Sequence, residues 1–356
     1  MAFLKIENVK ISGISACVPK RIEENSSFAL FDNEAYKSFA ATTGVERKRK
    51  ALSDDNICTS DLCVAAAEQL ISDLKWSKDE ISILVMVTQS PDYFLPATSP
   101  IIQDRLGLSK DCCALDISLG CSGWVYGISV VAGLLKSLTK ESGKAILLSG
   151  DVSRGLSISD KSTYPLFGDA GTATAMEFTK ETEPMLFGMN SDGSGYKAII
   201  VNDGGYSFRN PVSLSSFDMI NRGEGILSDN LSLVLEGMDV FAFGIKRAPE
   251  SINKLIEEFH LDKEKIDYFT FHQANLFMNE QIRKKLKLPA EKVLYSLKDF
   301  GNTSSASIPL TMVTQMKNEL KTKLLKHIAC GFGVGLSWGS VYFETDKIVV
   351  SELVQI

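Results

Sequence analysis

Residues 113–135 read CALDISLGCSGWVYGISVVAGLL, an apolar run that stops at a Gly-Cys-Ser-Gly turn and restarts as a second apolar run. A buried strand, a tight turn and a buried helix account for this better than one long element. Gly120, Ser122, Gly123 and Gly127 interrupt the uncharged stretch Ile117–Leu135, where a membrane span would need unbroken apolar length. The same alternation extends in both directions. Strand-like runs start at Ile81 (ISILVMVTQ), Ala145 (AILLSGD), Ile266 (IDYFTFH) and Gly335 (GLSWGSVYFE), and helical stretches start at Asp61, Ser122, Pro249, Asn279 and Ser307. Strands alternating with amphipathic helices predict an α/β fold. Ser191–Asn230, rich in Gly, Ser, Asn and Asp, reads as an excursion.

The pattern occurs twice. SKDEISILVMV at 77–87 is echoed by DKEKIDYFTFH at 262–272, and RLGLSKDCCALDI at 105–117 by KLKLPAEKVLYSL at 285–297. The next strand then ends at a turn, at Cys121 in one half and Asn302 in the other. Offsets of 185, 180 and 181 residues lie close to half of the 356-residue chain. This predicts an internal duplication with halves 1–180 and 181–356, Cys121 facing Asn302.

Composition narrows the function. Lys plus Arg number 38 against 44 Asp plus Glu, a net charge of −6, so the basic excess of a nucleic-acid binder is missing. Hydrophobic residues at 44% and charged residues at 23% fit a folded chain and argue against a many-pass membrane protein. Seven cysteines, at 17, 58, 63, 112, 113, 121 and 330, form no paired framework and point to a reducing, cytoplasmic setting. The start MAFLKIENVKISG carries Lys5, Glu7 and Lys10 where an export signal needs apolar residues.

Three residues stand out for chemistry. Cys121 sits at a strand-to-helix turn, where free helix amides favour thiolate and where small neighbours leave room for a carbonyl. A buried structural thiol is the ordinary reading of a cysteine, but the turn favours the nucleophile here. His272 ends the strand in YFTFHQANLF, at the strand end where α/β proteins bind ligands; a satisfied core histidine remains the alternative. Asn302, in DFGNTSSASIPL, is a turn former by default and a site candidate by the duplication. GFGVG at 331–335 lacks the preceding strand and final glycine of a dinucleotide loop, and ESGKA at 141–145 lacks the upstream glycine of a phosphate loop. Basic clusters at Arg47–Lys50 and Arg283–Lys287 read first as solvated surface. The second, following His272, also suits an acidic partner at a site entrance.

At Cys121, at FHQANLF with His272, at FGNTSSASIP with Asn302 and at the ending GFGVGLSWGS, the sequence resembles β-ketoacyl-acyl carrier protein synthase III of the thiolase superfamily. TTGVERK at 42–48 and FGDAGTATAM at 167–176 extend the likeness over nearly the whole chain. The resemblance implies a thiolase-like duplicated five-layer αβαβα fold, usually as a homodimer. It implies Cys121 as nucleophile for an acyl thioester, and His272 and Asn302 as holders of a malonyl thioester on acyl carrier protein. The amides of Cys121 and Gly335 would form the oxyanion hole. No cofactor is implied beyond the coenzyme A or phosphopantetheine that carries the substrates. Leu95, Leu166 and Phe167 fall at acyl-pocket positions, and Gly237, Phe241, Asn275 and Phe277 at positions along the pantetheine channel.

The departures concern the carrier. Ser38 falls near a Trp position, Lys161 at an Arg position and Phe277 where relatives often place Arg, so coenzyme A recognition is altered. A non-condensing enzyme that passes the acyl group from Cys121 to oxygen or nitrogen is the second reading. A non-catalytic partner subunit is the third, opposed by the intact Cys121, His272 and Asn302.

Overall fold

The structure is a computed structural model that describes residues 1–139, 142–205 and 210–356. Among these, twelve strands form two main sheets: β1 (Ala2–Ile6), β2 (Val9–Val18), β3 (Ile81–Val87), β4 (Cys113–Ile117), β5 (Lys144–Asp151), β6 (Ala170–Phe178), β7 (Met185–Ser191), β8 (Tyr268–Phe271), β9 (Leu324–Gly333), β10 (Ser337–Asp346), β11 (Val349–Val350) and β12 (Val354–Gln355). The helices that frame them are α1 (Thr59–Leu74), α2 (Thr98–Arg105), α3 (Gly123–Ser137), α4 (Gly237–Glu258), α5 (Leu276–Lys285) and α6 (Ser307–Gln315). The first sheet runs β11-β2-β6-β5-β3-β4 with β12 also on β2, and the second runs β1-β7-β10-β9-β8.

Period-two alternation sorts each strand between layers. In β3, Ile83, Val85 and Val87 enter the central core, while Leu84 and Met86 meet Leu62 and Leu70 of α1 on the other face. In β10, Val341 and Phe343 face the centre beside Trp124 and Ile308, and Tyr342 faces outward with Ile252 and Leu255 of α4. The layers are therefore α1 and α2, the first sheet, α3 and α6, the second sheet, then α4 and α5. This is the duplicated five-layer αβαβα arrangement of thiolase-like proteins. The chain ends cross over: β1 pairs β7 in the second sheet, and β11 and β12 pair β2 in the first.

Several local expectations change. Strand β9 precedes GFGVG and pairs antiparallel with β10, so the motif is the tip of a hairpin rather than an isolated glycine bend. No strand leads into Asn302; Leu297–Phe300 is one helical turn. The Ser296 N–H there is taken by the Gln273 side chain at 3.1 Å instead of a neighbouring strand. Helix α4 begins at Gly237 and runs through Pro249. Pro249 cannot donate to the Ile245 carbonyl, and Lys285 Nζ does so at 3.2 Å. The 191–230 excursion contains short ribbons, Ile199–Val201 with Leu233–Leu235 and Ile220–Asn221 with Leu227–Ser228. Its residues 206–209, and Glu141 of ESGKA, lie outside the described residues. No helix among the described residues is long and apolar enough to cross a membrane.

Candidate active site

Cys121 lies between β4 and α3, on a turn closed by Gly123 N–H donating to Gly120 O at 2.7 Å. The second half packs directly on it. A Cβ at Gly331 would sit 2.9 Å from the Cys121 carbonyl oxygen, and one at Gly333 would sit 2.6 Å from Cys121 Cβ and 3.0 Å from Sγ. Ser122 and Ser337 hydroxyls join the same surfaces at 2.7 Å. The glycines of GFGVG therefore let the β9 backbone pass against the thiol.

Burial pushes the Cys121 thiol up to about 12, and the neighbouring Asp151 carboxylate adds to this; the Ser304 hydroxyl and the amides of Cys121 and Val334 pull the other way. Desolvation and a like charge thus work against the lowering expected from the helix terminus. The two amides identify the donors around the sulfur as Cys121 and Val334. Gly335, the sequence-based choice, follows Val334 at the hairpin tip with φ +144°.

His272, just after β8, is 2% exposed. Burial holds its pKa down at about 3, a contact with the Ser304 backbone working weakly against this, so the ring is neutral. Its Nδ1 lies 2.8 Å from Ser307 Oγ, which also accepts the Gln273 N–H at 3.3 Å. The Ser307 hydroxyl can accept that N–H and still donate to Nδ1, the arrangement in which the ring carries its own N–H on Nε2. Phe332 stands edge-on to the ring, with centroids 5.5 Å apart.

Asn302 is zipped to the segment 166–168: its N–H donates to Leu166 O at 2.9 Å and its carbonyl accepts the Gly168 N–H at 3.0 Å. Its Oδ1 accepts the Ser304 N–H at 2.9 Å, which leaves the Nδ2 donors for the cavity. Cys121, His272 and Asn302, from both halves, line one cavity of about 840 Å³. Leu166, Phe167, Gly237, Phe241, Asn275 and Phe277 line it too. Phe241 and Phe277 stack at 5.5 Å, and Asn275 also caps α5 by accepting the Met278 N–H at 2.8 Å. Leu95 does not join them. It is 77% exposed on a surface loop beside Tyr93 and Phe94, just before the start of α2, where the Thr98 and Ser99 N–H groups donate to Asp116.

The basic clusters are less solvated than expected. Lys48 and Lys50 are buried; Lys48 Nζ donates to Tyr164 O, and Lys50 pairs with Asp169 at 3.3 Å. Arg283 is held by Glu280 and Leu288 O. Ser304, Ser307, Asp151 and Val334 were not apparent from the sequence. The only signal was their position, in the turn after Asn302, at the end of a strand and beside the GFGVG glycines.

The arrangement offers a nucleophilic sulfur, two amides beside it and two neutral donors opposite. Known proteins match the chain that carries it. The 3-oxoacyl-[acyl-carrier-protein (ACP)] synthase III family matches residues 115–193, and its C-terminal family matches 256–345. A β-ketoacyl-[acyl-carrier-protein] synthase III of Clostridium perfringens is 31% identical over 341 residues, 95% of this chain and all of the relative. One of Streptococcus agalactiae is 31% identical over 338 residues, 93% of this chain and 98% of the relative. The crystal structure of a 3-oxoacyl-(acyl-carrier protein) synthase from Burkholderia xenovorans superposes with a TM-score of 0.92 at 35% identity, covering 100% of this chain and 99% of the other. This chain belongs to the β-ketoacyl-[acyl-carrier-protein] synthase III family.

Proposed function

We propose that this acyltransferase performs a decarboxylating Claisen condensation of an acyl primer with malonyl-acyl carrier protein, releasing a 3-oxoacyl-acyl carrier protein for fatty acid or specialised acyl biosynthesis. The observation that carries the reading is that a neutral His272 and an Asn302 whose Oδ1 is already engaged line one cavity with Cys121. Acyl transfer to oxygen or nitrogen has no use for both.

Cys121 Sγ attacks the primer thioester, the carbonyl oxygen takes negative charge under the amides of Cys121 and Val334, and the carrier leaves as its thiol, taking the proton that Cys121 gives up. The malonyl thioester then places its carbonyl oxygen on His272 and Asn302. Loss of carbon dioxide moves the electron pair into an enolate, which each donor stabilises by about 3 kcal/mol. The enolate carbon attacks the acyl-cysteine, and the carbon–sulfur bond breaks to return Cys121. A neutral histidine suits this role, since it donates without needing to change protonation state.

The substrates arrive on coenzyme A or phosphopantetheine, with no further cofactor. The halves 1–180 and 181–356 each supply part of the site. The exposed apolar loop Tyr93, Phe94 and Leu95 supports a homodimer that covers it, and the reduced cysteines support a cytoplasmic setting. Intact-protein mass spectrometry with a panel of acyl donors, followed by malonyl-carrier protein, tests the reading. Mass gained on Cys121 and then lost with carbon dioxide and a 3-oxoacyl product is expected, and Asn302→Ala should abolish the second step. Acylation that malonyl-carrier protein never discharges would refute it.

A further inference from the structure

Asp151 ends β5 and is 6% exposed, yet the condensation needs no carboxylate. One oxygen, Oδ1, accepts from the Gln89 N–H at 2.8 Å, Thr88 Oγ1 at 3.1 Å and Ser90 Oγ at 3.2 Å. The other, Oδ2, accepts from Ser305 Oγ at 3.0 Å and the Ser305 N–H at 3.4 Å. One carboxylate thus ties the loop after β3, in the first half, to the turn after Asn302, in the second.

That turn needs holding. Gly301 has φ +65° and Ser304, which is not glycine, has φ +50°, a region costly for a residue with a side chain. The Ser304 N–H is the group that fixes Asn302 Oδ1, so the direction of the Asn302 amide depends on where Ser304 sits. Ser304 in turn is covalently next to the residue anchored on Asp151.

The anchor has an electrostatic cost. Reactive cysteines favour electropositive surroundings, but Asp151, whose pKa burial raises against the pull of its Gln89, Ser304 and Ser305 donors, sets a carboxylate beside Cys121. The other groups facing the sulfur are the Ser304 hydroxyl and the amides of Cys121 and Val334, with neutral His272 in the same cavity. A carboxylate placed there works against acylation and in favour of the Asn302 turn.

We propose, resting on the condensing reading above, that Asp151 is a positioning residue that clamps the 302–305 turn so that Asn302 points at the malonyl thioester. Removing it should divide the two half-reactions in opposite directions, which a merely structural residue would not do. Two readouts separate them: carbon dioxide release from malonyl-carrier protein, and the pH profile of Cys121 alkylation by iodoacetamide, read by intact mass.

Asp151→Asn keeps the shape but turns one acceptor into a donor and removes the charge. Carbon dioxide release should fall at least about tenfold, while alkylation should move to lower pH by about one unit. Ser305→Ala removes the shorter, hydroxyl arm of the clamp, leaves the Ser305 N–H contact at 3.4 Å and keeps the charge, so release should fall with the alkylation profile unmoved; it also carries the test if Asp151→Asn does not fold. Slower alkylation of Asp151→Asn across the pH range would overturn the proposal, as would a Ser305→Ala enzyme that decarboxylates at the wild-type rate. A wild-type enzyme that releases no carbon dioxide would instead sink the condensing reading itself, and the clamp with it. Active wild type with unaffected variants would sink the clamp alone.

Discussion

Gly333→Ala places a methyl group against the nucleophile without straining the backbone, since φ at Gly333 lies outside the left-handed region. The new Cβ would stand 2.6 Å from Cys121 Cβ and 3.0 Å from Sγ. Carbon atoms rest at about 3.5 Å or more, so Cys121 or the hairpin tip must give way by roughly 1 Å. Neither is free to do so: Ser122 is tied to Ser337, and the β9 backbone is paired with β10 as far as Gly333. A 1 Å misplacement of a reacting group costs about a hundredfold in rate, and the overpacking itself costs about 1–3 kcal/mol. Single-turnover acylation of Cys121, followed by intact mass, should slow by about that hundredfold. Gly133→Ala is the matched control. In the middle of α3, with no atom within 4 Å of its would-be Cβ, it should acylate normally and gain about 0.5–1 kcal/mol from the entropy that glycine loses on folding. A Gly333→Ala enzyme acylating at the wild-type rate, with an ordinary melting curve, would refute the claim that β9 sets the position of the sulfur.

Ser307→Ala removes the hydroxyl that gives His272 Nδ1 its proton; the imidazole can then carry its hydrogen on either nitrogen, and decarboxylation of a malonyl thioester should fall by about tenfold or more while Cys121 acylation holds. Unchanged decarboxylation would show that Ser307 does not select the tautomer. Acid should destabilise the fold early: His272 and His327 are both held at about 3 from an ordinary 6.5, so the unfolded chain binds more protons between those limits. Their contribution is complete above pH 6.5 and is lost as pH falls toward 3, about 2 kcal/mol for each histidine by pH 5. Urea titrations at pH 7 and 5 measure it; His327→Phe should lose roughly half of the difference, and stability that is flat from pH 7 to 5 would contradict the burial argument.

The layered fold was legible because buried strands such as ISILVMV and AILLSGD are unbroken apolar runs between helical stretches, and because the two halves repeat them. Strands β2 and β6 were not, since SGISAC and AGTATA carry small and hydroxylated residues that pack closely between layers without an apolar signature. Glycines at 13 and 171 show why: a Cβ at Gly13 would meet Leu70 at 2.9 Å and one at Gly171 would meet Leu62 at 2.7 Å. Helix α4 was misjudged at its start because Pro249 signals a helix beginning, and only the distant Lys285 makes it tolerable inside one. Likewise Cys121, His272 and Asn302 announce themselves through their turns, whereas Leu95 lies on an exposed loop outside the cavity.

The site also shows how opposing demands share one small volume. An activated thiolate wants positive surroundings, and an enolate wants fixed neutral donors. Here the donors prevail. His272 is desolvated until it cannot charge, Asn302 is locked by Ser304, and Asp151 stands beside the thiol while holding the turn between them. The sulfur keeps only two amides and a hydroxyl on its side. Burial and Asp151 both disfavour a thiolate at rest, which gives weight to donors placed where the carbonyl oxygen develops charge as the attack proceeds. It follows that the pH dependence of alkylation by a small electrophile, which lacks that carbonyl, should be steeper between pH 7 and 9 than that of acylation by a thioester. Parallel profiles would mean that the resting thiolate, despite its surroundings, is the species that reacts in both.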